Sequence, residues 1–458
     1  MTSFAAEETA NQTALNQSGV NQSSVADVAR RAKAAARRLA LLPEARRNEA
    51  LLFASRAIEE RGAEILAANG RDCLDALRAV EERRMTQALL KRLRTDEGGI
   101  REMAARVRDV AALPNPLGRQ LATTELDEDL TLYKVSCPLG VVGIIFEARP
   151  EVVPQVASLA LKSGNAMILK GGSEAARTNE TLVSIWRDAL ANFPDVPADA
   201  VNLLRTREDV SEMLTLDGEI DLIIPRGSKE FVRHIAANSR IPVLGHGEGV
   251  CHVYVDRAAD LQKAFAVALD SKTQYPAACN AAETFLIHED VAASLLPGLV
   301  AGLRSAGVEV RACPRTAELA ASGDLTPAND DDWATEYSDL IVSIKTVGSF
   351  DEAVGHIERY GSRHTEAIVT EDAEAAARFM ETVDAAGVYH NASTRFADGF
   401  RYGLGAELGI STAKLHARGP VGLEGLTTYK YKLVGEGHTV ASYSRGERTF
   451  KHREIGRQ

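Results

Sequence analysis

The sequence predicts an α/β protein built from two doubly wound parallel domains and a small β arm, on three observations. Between residues 140 and 223, short apolar stretches alternate with amphipathic ones in the order strand, helix, strand, helix, strand, the pattern of a parallel sheet covered on both faces. A second block of the same kind follows Val250. At 458 residues the chain also exceeds what one hydrophobic core holds, a limit near ~250–300 residues.

Taken in order, residues 1–24 are mostly Ala, Asn, Gln, Ser, Thr and Glu, which predicts a disordered tail and no secretory signal. Residues 25–113 are rich in Ala, Leu, Glu and Arg, with apolar positions three and four apart, and predict several helices punctuated at Pro43, Gly62 and Gly98-Gly99. Residues 124–135 alternate apolar and polar like an exposed strand or hairpin arm. Strands are expected at 141–145, 166–169 and 201–204, with helices at 152–163 and 178–192 between them. In the second block, strands are expected near 253–255, 284–287, 340–344 and 367–369. Residues 427–434 read as another alternating strand, and 442–458, with little apolar content, as a loose tail.

Composition narrows the class further. Apolar content of 45% with 26% charged residues is that of an ordinary globular protein, and no run of about 18 uncharged apolar residues suggests a membrane span. The formal charge of -11 argues against a nucleic-acid binder, which must neutralise phosphates. Five cysteines without CxxC spacing argue against a disulfide framework or a metal site, and fit a reducing cytoplasm.

One of those cysteines has a distinctive setting. Asp270-Ser271-Lys272-Thr273-Gln274-Tyr275-Pro276-Ala277-Ala278-Cys279-Asn280 places a thiol on a small-residue approach between two apolar, strand-prone segments. The glycine turn at 245–249, between the two blocks, would open a cleft beside Cys279. A lone cysteine otherwise packs as a small apolar side chain, so its neighbours must decide.

A GxGxxG turn is absent, yet the strand at 166–169 ends in Lys170-Gly171-Gly172-Ser173, where a lysine and close backbone suit a nucleotide's ribose and phosphate. The same residues also read as a surface lysine beside loop glycines. Ile224-Pro225-Arg226-Gly227-Ser228 follows a strand and precedes a helix starting near Lys229, whose first amides could hold a phosphate. A dinucleotide fold and a cleft thiol together suggest hydride transfer to a thiol-bound acyl group.

Four segments then carry a specific resemblance. Cys137-Pro138-Leu139-Gly140-Val141-Val142-Gly143-Ile144-Ile145-Phe146-Glu147-Ala148-Arg149-Pro150, Leu161-Lys162-Ser163-Gly164-Asn165-Ala166, the loop at 275–280 and His416-Ala417-Arg418-Gly419-Pro420-Val421-Gly422-Leu423 resemble, in this order, the aldehyde dehydrogenase superfamily. The likeness spans residues 25–440 and is nearest to the members that reduce an acyl phosphate. It implies an aldehyde dehydrogenase-like fold, with Cys279 as the nucleophile, Lys170 and Gly171 at the adenosine ribose, and Gly227 and Ser228 at the pyrophosphate. It also implies that Glu336 holds the nicotinamide ribose; otherwise Glu336 is a surface carboxylate ahead of a strand. The domains would be 25–249 for the dinucleotide, with 124–136 in the arm, 250–425 for catalysis, and 426–458 for arm and tail.

Two departures from the superfamily are informative. Oxidative members carry Pro-Trp-Asn-x-Pro, whose Asn helps bind the oxyanion; here Ala148 takes its place, leaving the Cys279 amide and Asn280 as donors. Oxidative members also carry Glu-Leu-Gly-Gly, whose Glu activates water. Leu244-Gly245-His246-Gly247 has no carboxylate in register, and Glu248 is offset. Hydride, not water, would then resolve the thioester.

The implied reaction is NADPH-dependent reduction of L-glutamyl 5-phosphate to L-glutamate 5-semialdehyde, a step of proline biosynthesis. A free thiol titrates near ~8.5, so the site is expected to lower the Cys279 pKa. NADP(H) rests on Ser173, three past Lys170, where NAD-selective relatives place a Glu. Substrate contacts are expected from Glu147, Arg149, Asn391, Ser393, Thr394 and Arg395, with Arg395 the first anion contact and Arg149 the second. Arg149 in a structural pair with Glu147 or Glu151 remains open, while His246 and His390 are read as structural. The strand at 427–434 with 124–135 resembles the superfamily's oligomerisation arm, implying at least a dimer, and a labile acyl phosphate makes glutamate 5-kinase a partner to consider. Rival readings are an oxidative or coenzyme A-acylating member and an inactive cofactor-binding protein.

Overall fold

The computed structural model describes residues 24–147, 149–245, 248–320 and 325–456, so the expected N-terminal tail, Ser24 apart, lies outside the described residues. Ser24 caps the first helix, Val25–Leu39, by accepting the Asp27 N–H. The helices Glu44–Glu60, Gly62–Glu81, Gln87–Leu93 and Glu97–Ala112 follow. The expected punctuation falls at helix starts: Pro43 precedes one helix, Gly62 opens another, and Gly98 and Gly99 lie in a first turn because the Asp96 carboxylate accepts the Gly99 N–H at 2.8 Å. A strong cap outweighs the propensity cost of two glycines near a helix end.

Strands β1 (Gln120–Asp127) and β2 (Leu130–Pro138) form an antiparallel hairpin turned at Asp129, whose φ is 57°. Strands β3 (Val141–Phe146), β4 (Ala166–Lys170), β5 (Val201–Leu203) and β6 (Leu222–Arg226) form a parallel sheet in the order β5-β4-β3-β6. The chain steps outward from β3 to β5 and returns to its other side with β6. A crevice therefore opens at the carboxyl ends of β3 and β6, where doubly wound sheets bind ligands.

The second sheet holds β7 (Cys251–Val255), β8 (Ala282–His288), β9 (Glu309–Ala312), β10 (Thr326–Pro327), β11 (Ile341–Val347), β12 (Thr365–Val369) and β13 (Gly387–His390). Its order is β10-β9-β11-β8-β7-β12-β13, parallel throughout. The short strand β9 and the edge strands β10 and β13 were not expected, since their few residues carry too little periodicity to read.

Each sheet has its own core. Val142, Ile144, Ile168 and Leu169 anchor the first, and Val253, Phe285, Ile344 and Ala367 the second. After β13 the chain returns to the first core with Leu408, Ala417, Val421, Leu423 and Leu426, so the core changes well before residue 425. This return contains a two-stranded ladder, β14 (Ile410–Ser411) with β15 (Gly419–Pro420).

The arm is completed by β16 (Thr427–Val434), which pairs β2 along its length, and β17 (Arg453–Gly456), which pairs β1. The expectation of a loose tail at 442–458 is thus corrected as far as Gly456. Arg448 meets Asp127 at 3.1 Å, Lys451 meets Glu125 at 3.6 Å, and the Tyr443 and Phe450 rings stack at 4.1 Å. Ion pairs and backbone ladder bonds do here what apolar content does elsewhere, so composition understated the order.

Candidate active site

The cysteine loop is held at both ends. The first residues of its approach are helical: Leu261–Thr273 is a helix, because Asp260 caps it through the Gln262 and Lys263 N–H groups and Ala264, Ala268 and Ser271 recur on one buried face. Lys272 in its last turn meets Glu283 at the start of β8, Nζ to Oε2 at 2.6 Å, both fully buried. Burial lowers the Lys272 pKa and raises that of Glu283, and their charges oppose both shifts. Between these anchors the loop turns through Ala278 N–H to Tyr275 O and Ala281 N–H to Ala278 O.

A cleft of about 810 Å³ lies where the carboxyl ends of β3 and β6 face the amino end of the second sheet. It gathers Glu147, Arg149, Gly227, Ser228, Cys279 and Glu336 from the expected set. Glu336 accepts the Gly249 N–H at 2.9 Å, which ties it to the strand entrance beside Cys279. Gly249 is forced: a Cβ there would stand 2.5 Å from the Cys279 carbonyl carbon and 2.6 Å from its Cα. Ala148, His246 and Gly247 lie outside the described residues, whereas Glu248 lines the cleft.

Other expected residues are used differently. Asn280 is buried and its Nδ2 donates to Ala397 O at 2.8 Å, which turns its side chain away from the cleft. Asn391 stitches the end of β13 to Thr370, accepting its N–H and donating to its O, both at 3.0 Å. Ser393 and Thr394 bond to Ser271 on the helix that leads to the cysteine loop. Asn391 and Ser393 are corrected from substrate contacts to structural ties, because their side-chain polar atoms are already engaged; Thr394 is tied through its backbone N–H, and among the described residues its buried Oγ1 has no hydrogen-bond partner. Arg395 donates through Nε to Gln274 Oε1 at 2.9 Å, and its charge is felt at Cys279. His390, read as structural, pairs with Thr370 O at 2.9 Å.

A nicotinamide dinucleotide fits the residues present. Lys170 closes β4 with its Nζ donating to Gly171 O at 2.6 Å, and burial lowers its pKa. Ser228 caps the helix Lys229–Asn238, and a Cβ at Gly227 would meet the Phe231 ring at 2.7 Å and the Glu147 carboxylate at 3.3 Å, so backbone comes close there. Ser173 is exposed and does not set the local charge alone: the next residue, Glu174, folds over Gly172 and its negative charge reaches Lys170.

The electrostatics correct one expectation outright. The Cys279 thiol is pushed up to about 12, first by burial and then by the negative charges of Glu336 and Glu407, with Arg395 opposing. Glu407, which also lines the cleft, is pushed up to about 7 by burial and accepts the Gly399 N–H at 2.8 Å. Arg226, at the carboxyl end of β6, is drawn down to about 10 by burial and by the like charge of Arg149. Its guanidinium makes one long contact, 3.5 Å to Gln155 Oε1.

Three residues were thus missed: Arg226, Glu407 and His364, whose Nε2 lies 3.2 Å from Cys279 Sγ. Arg226 stood in a turn already singled out, whose role was given to the following Gly and Ser. Glu407 and His364 reach the cleft from distant segments, and nothing local in Ser362-Arg363-His364-Thr365 marks them.

Comparison with known proteins agrees with this fold. The aldehyde dehydrogenase family model matches residues 5–317. A gamma-glutamyl phosphate reductase of Synechococcus sp. (strain JA-3-3Ab) is 55% identical over 92% of this chain and 93% of its own. That of Pelotomaculum thermopropionicum is 50% identical over 94% and 98%. The crystal structure of gamma-glutamyl phosphate reductase from Thermotoga maritima superposes with a TM-score of 0.88 at 42% identity, covering 91% of this chain and all of that one. An acetylating aldehyde dehydrogenase of Geobacillus thermoglucosidasius, at 18% identity and a TM-score of 0.62, shares the fold alone. By sequence and by fold, the chain belongs to the aldehyde dehydrogenase family and, within it, to the gamma-glutamyl phosphate reductases.

Proposed function

We propose that this oxidoreductase reduces L-glutamyl 5-phosphate to L-glutamate 5-semialdehyde and phosphate through a thioester on Cys279. The observation that carries the reading is a cleft thiol facing two converging guanidiniums. Among the described residues neither Arg149 nor Arg226 is in an ion pair, yet both line the cleft with Cys279, and Arg226 feels the charge of Arg149. Two cationic side chains in one cleft favour a dianion such as a phosphate, with the Glu151 and Glu407 carboxylates also bearing on Arg226.

In this reading the Cys279 thiolate attacks the C5 carbonyl and phosphate leaves toward Arg226 and Arg149. The Cys279 amide serves the developing oxyanion. Lys170, Gly171, Ser228 and Glu336 would hold a reduced nicotinamide cofactor, which would supply the hydride. The chain's remaining tasks are to shield the thioester from water and take back the thiolate as the tetrahedral carbon collapses to aldehyde. NADPH is the proposed form, with Lys170 and Arg207 set against Glu174 and Asp209 at the ribose end. A cytoplasmic homo-oligomer is proposed because β16 leaves Tyr429, Tyr431, Leu433 and Val434 exposed on an outer strand, and glutamate 5-kinase is the proposed supplier of the labile substrate.

The test runs the reaction backward, with glutamate 5-semialdehyde, phosphate and NADP, following absorbance of the reduced cofactor. Turnover should require phosphate; phosphate-independent turnover would overturn the reading, and coenzyme A replacing phosphate would favour the acylating rival. In the same assay, Arg226→Met should lower kcat/KM for phosphate roughly 30- to 150-fold, the loss of about 2–3 kcal/mol from charged hydrogen bonds. Gly249→Ala should lower kcat roughly 10²-fold by displacing the thiol, the scale of a misplacement near 1 Å. An unchanged kcat there would mean that the loop yields without moving Sγ.

A further inference from the structure

Behind Cys279 stands a group that the thioester mechanism has not yet used. Strand β12 lies beside β7, and β7 beside β8, so the amino ends of all three abut. His364 precedes β12 and Cys279 lies three residues ahead of β8. The imidazole is fully buried, with Nε2 3.2 Å from Cys279 Sγ and Nδ1 2.9 Å from Thr365 Oγ1.

This is the arrangement of nucleophile, base and orienting third group that activates a weak nucleophile. With its proton on Nδ1, donated to Thr365 Oγ1, the ring turns the Nε2 lone pair toward the thiol. Once the thiol proton moves to Nε2, both N–H groups still have acceptors, the hydroxyl and the thiolate.

We propose that His364 is the general base that takes the Cys279 thiol proton. This rests on the reading of Cys279 as the nucleophile. In the first step the S–H bond breaks and the Nε2–H bond forms; the thiolate then bonds C5 while the C5–O bond to phosphate breaks. The imidazolium proton leaves with the phosphate oxygen, giving hydrogen phosphate. After hydride from the reduced nicotinamide has reached the thioester carbon, the S–C5 bond breaks and the thiolate returns to His364. One solvent proton then restores the pair, which balances the proton consumed per turnover.

The need for such a base follows from the surroundings. Besides His364, the thiol feels Glu336, Glu407, Arg395, Arg226 and the buried Cys251, whose Sγ lies 3.4 Å from Cys279 O. With burial and both carboxylates pushing its pKa up, the thiol on its own would be ionised only rarely at neutral pH. A base in hydrogen-bond contact lets the thiolate form without a free thiolate waiting in the cleft.

The experiment is alkylation of Cys279 by iodoacetamide in the full-length protein without substrate, from pH 5.5 to 10, read on the Cys279 peptide by mass spectrometry. His364→Gln should slow it at least 10-fold at neutral pH and move the profile to higher pH, leaving Cys313 unaffected. In turnover, the same variant should lose roughly 10²- to 10⁴-fold in kcat with little change in KM, and added imidazole should partly rescue His364→Ala in a saturable way. A His364→Gln variant alkylated at the wild-type rate with an unchanged profile would overturn the proposal. Should neither variant fold, the wild-type profile decides: an inflection well below the pH of a lone buried thiol supports the pair, and a single inflection at that pH defeats it. Alkylation needs no acyl phosphate, so failure of the substrate reading leaves this result standing on its own.

Discussion

Cys279→Ala is expected to abolish turnover, by about 10⁴-fold or more, while the protein unfolds at nearly the wild-type temperature. Both halves follow from the site. The thiol is the reacting atom, and no other side chain lining the cleft offers a sulfur to form the thioester. Removing one sulfur atom at the wall of an open cleft leaves no sealed void, so little cohesion is lost. Stopped-flow assays should show no cofactor oxidation burst, and mass spectrometry no acylated protein. Retention of phosphate-dependent turnover in this variant would defeat the thioester mechanism. Loss of folding together with activity would instead place Cys279 among the structural cysteines.

Lys272→Met is expected to cost about 3–5 kcal/mol of stability, the largest effect on folding from a single change here. Lys272 and Glu283 meet at 2.6 Å with both side chains fully buried, and they close the base of the cysteine loop. Either charge alone in that place is severely desolvated. Glu283 is already the weaker member, its carboxyl raised by burial and by Glu336, and its Oε1 has no hydrogen-bond partner. Lys272→Met strands it. The double variant Lys272→Met with Glu283→Leu should recover most of the loss, because replacing both charges by apolar groups of similar size is often nearly neutral. Denaturant midpoints of the two variants check this. A single variant as stable as wild type would mean that the pair adds nothing beyond packing.

The pair also shows why part of the site was hidden from the sequence. Lys272 and Glu283 stand eleven residues apart and read as ordinary charged positions flanking a loop. Their partnership exists because a helix ends and a strand begins at the same point in space. Asn391 and Ser393 erred in the opposite direction: a polar run after an apolar stretch looked like a binding surface, but their side-chain polar atoms are engaged by Thr370 and Ser271. Sequence shows which atoms can hydrogen-bond and not which are already satisfied. The tail after residue 442 makes the same point, since Arg448, Lys451 and Arg453 find Asp127 and Glu125 across more than 300 residues.

What the sequence determined by itself was whatever lives in local pattern: alternating strands and helices, two parallel sheets, a glycine turn beside a presented thiol, and long motifs in family order. Period and motif are properties of neighbouring residues, so they survive without coordinates. The tertiary structure alone decided the setting of that thiol. Its carboxylate neighbours Glu336 and Glu407, its contact with His364, and Arg226 lining the same cleft come from four separate segments. A pKa and a proton's destination depend on distances across space, which no spacing along the chain encodes.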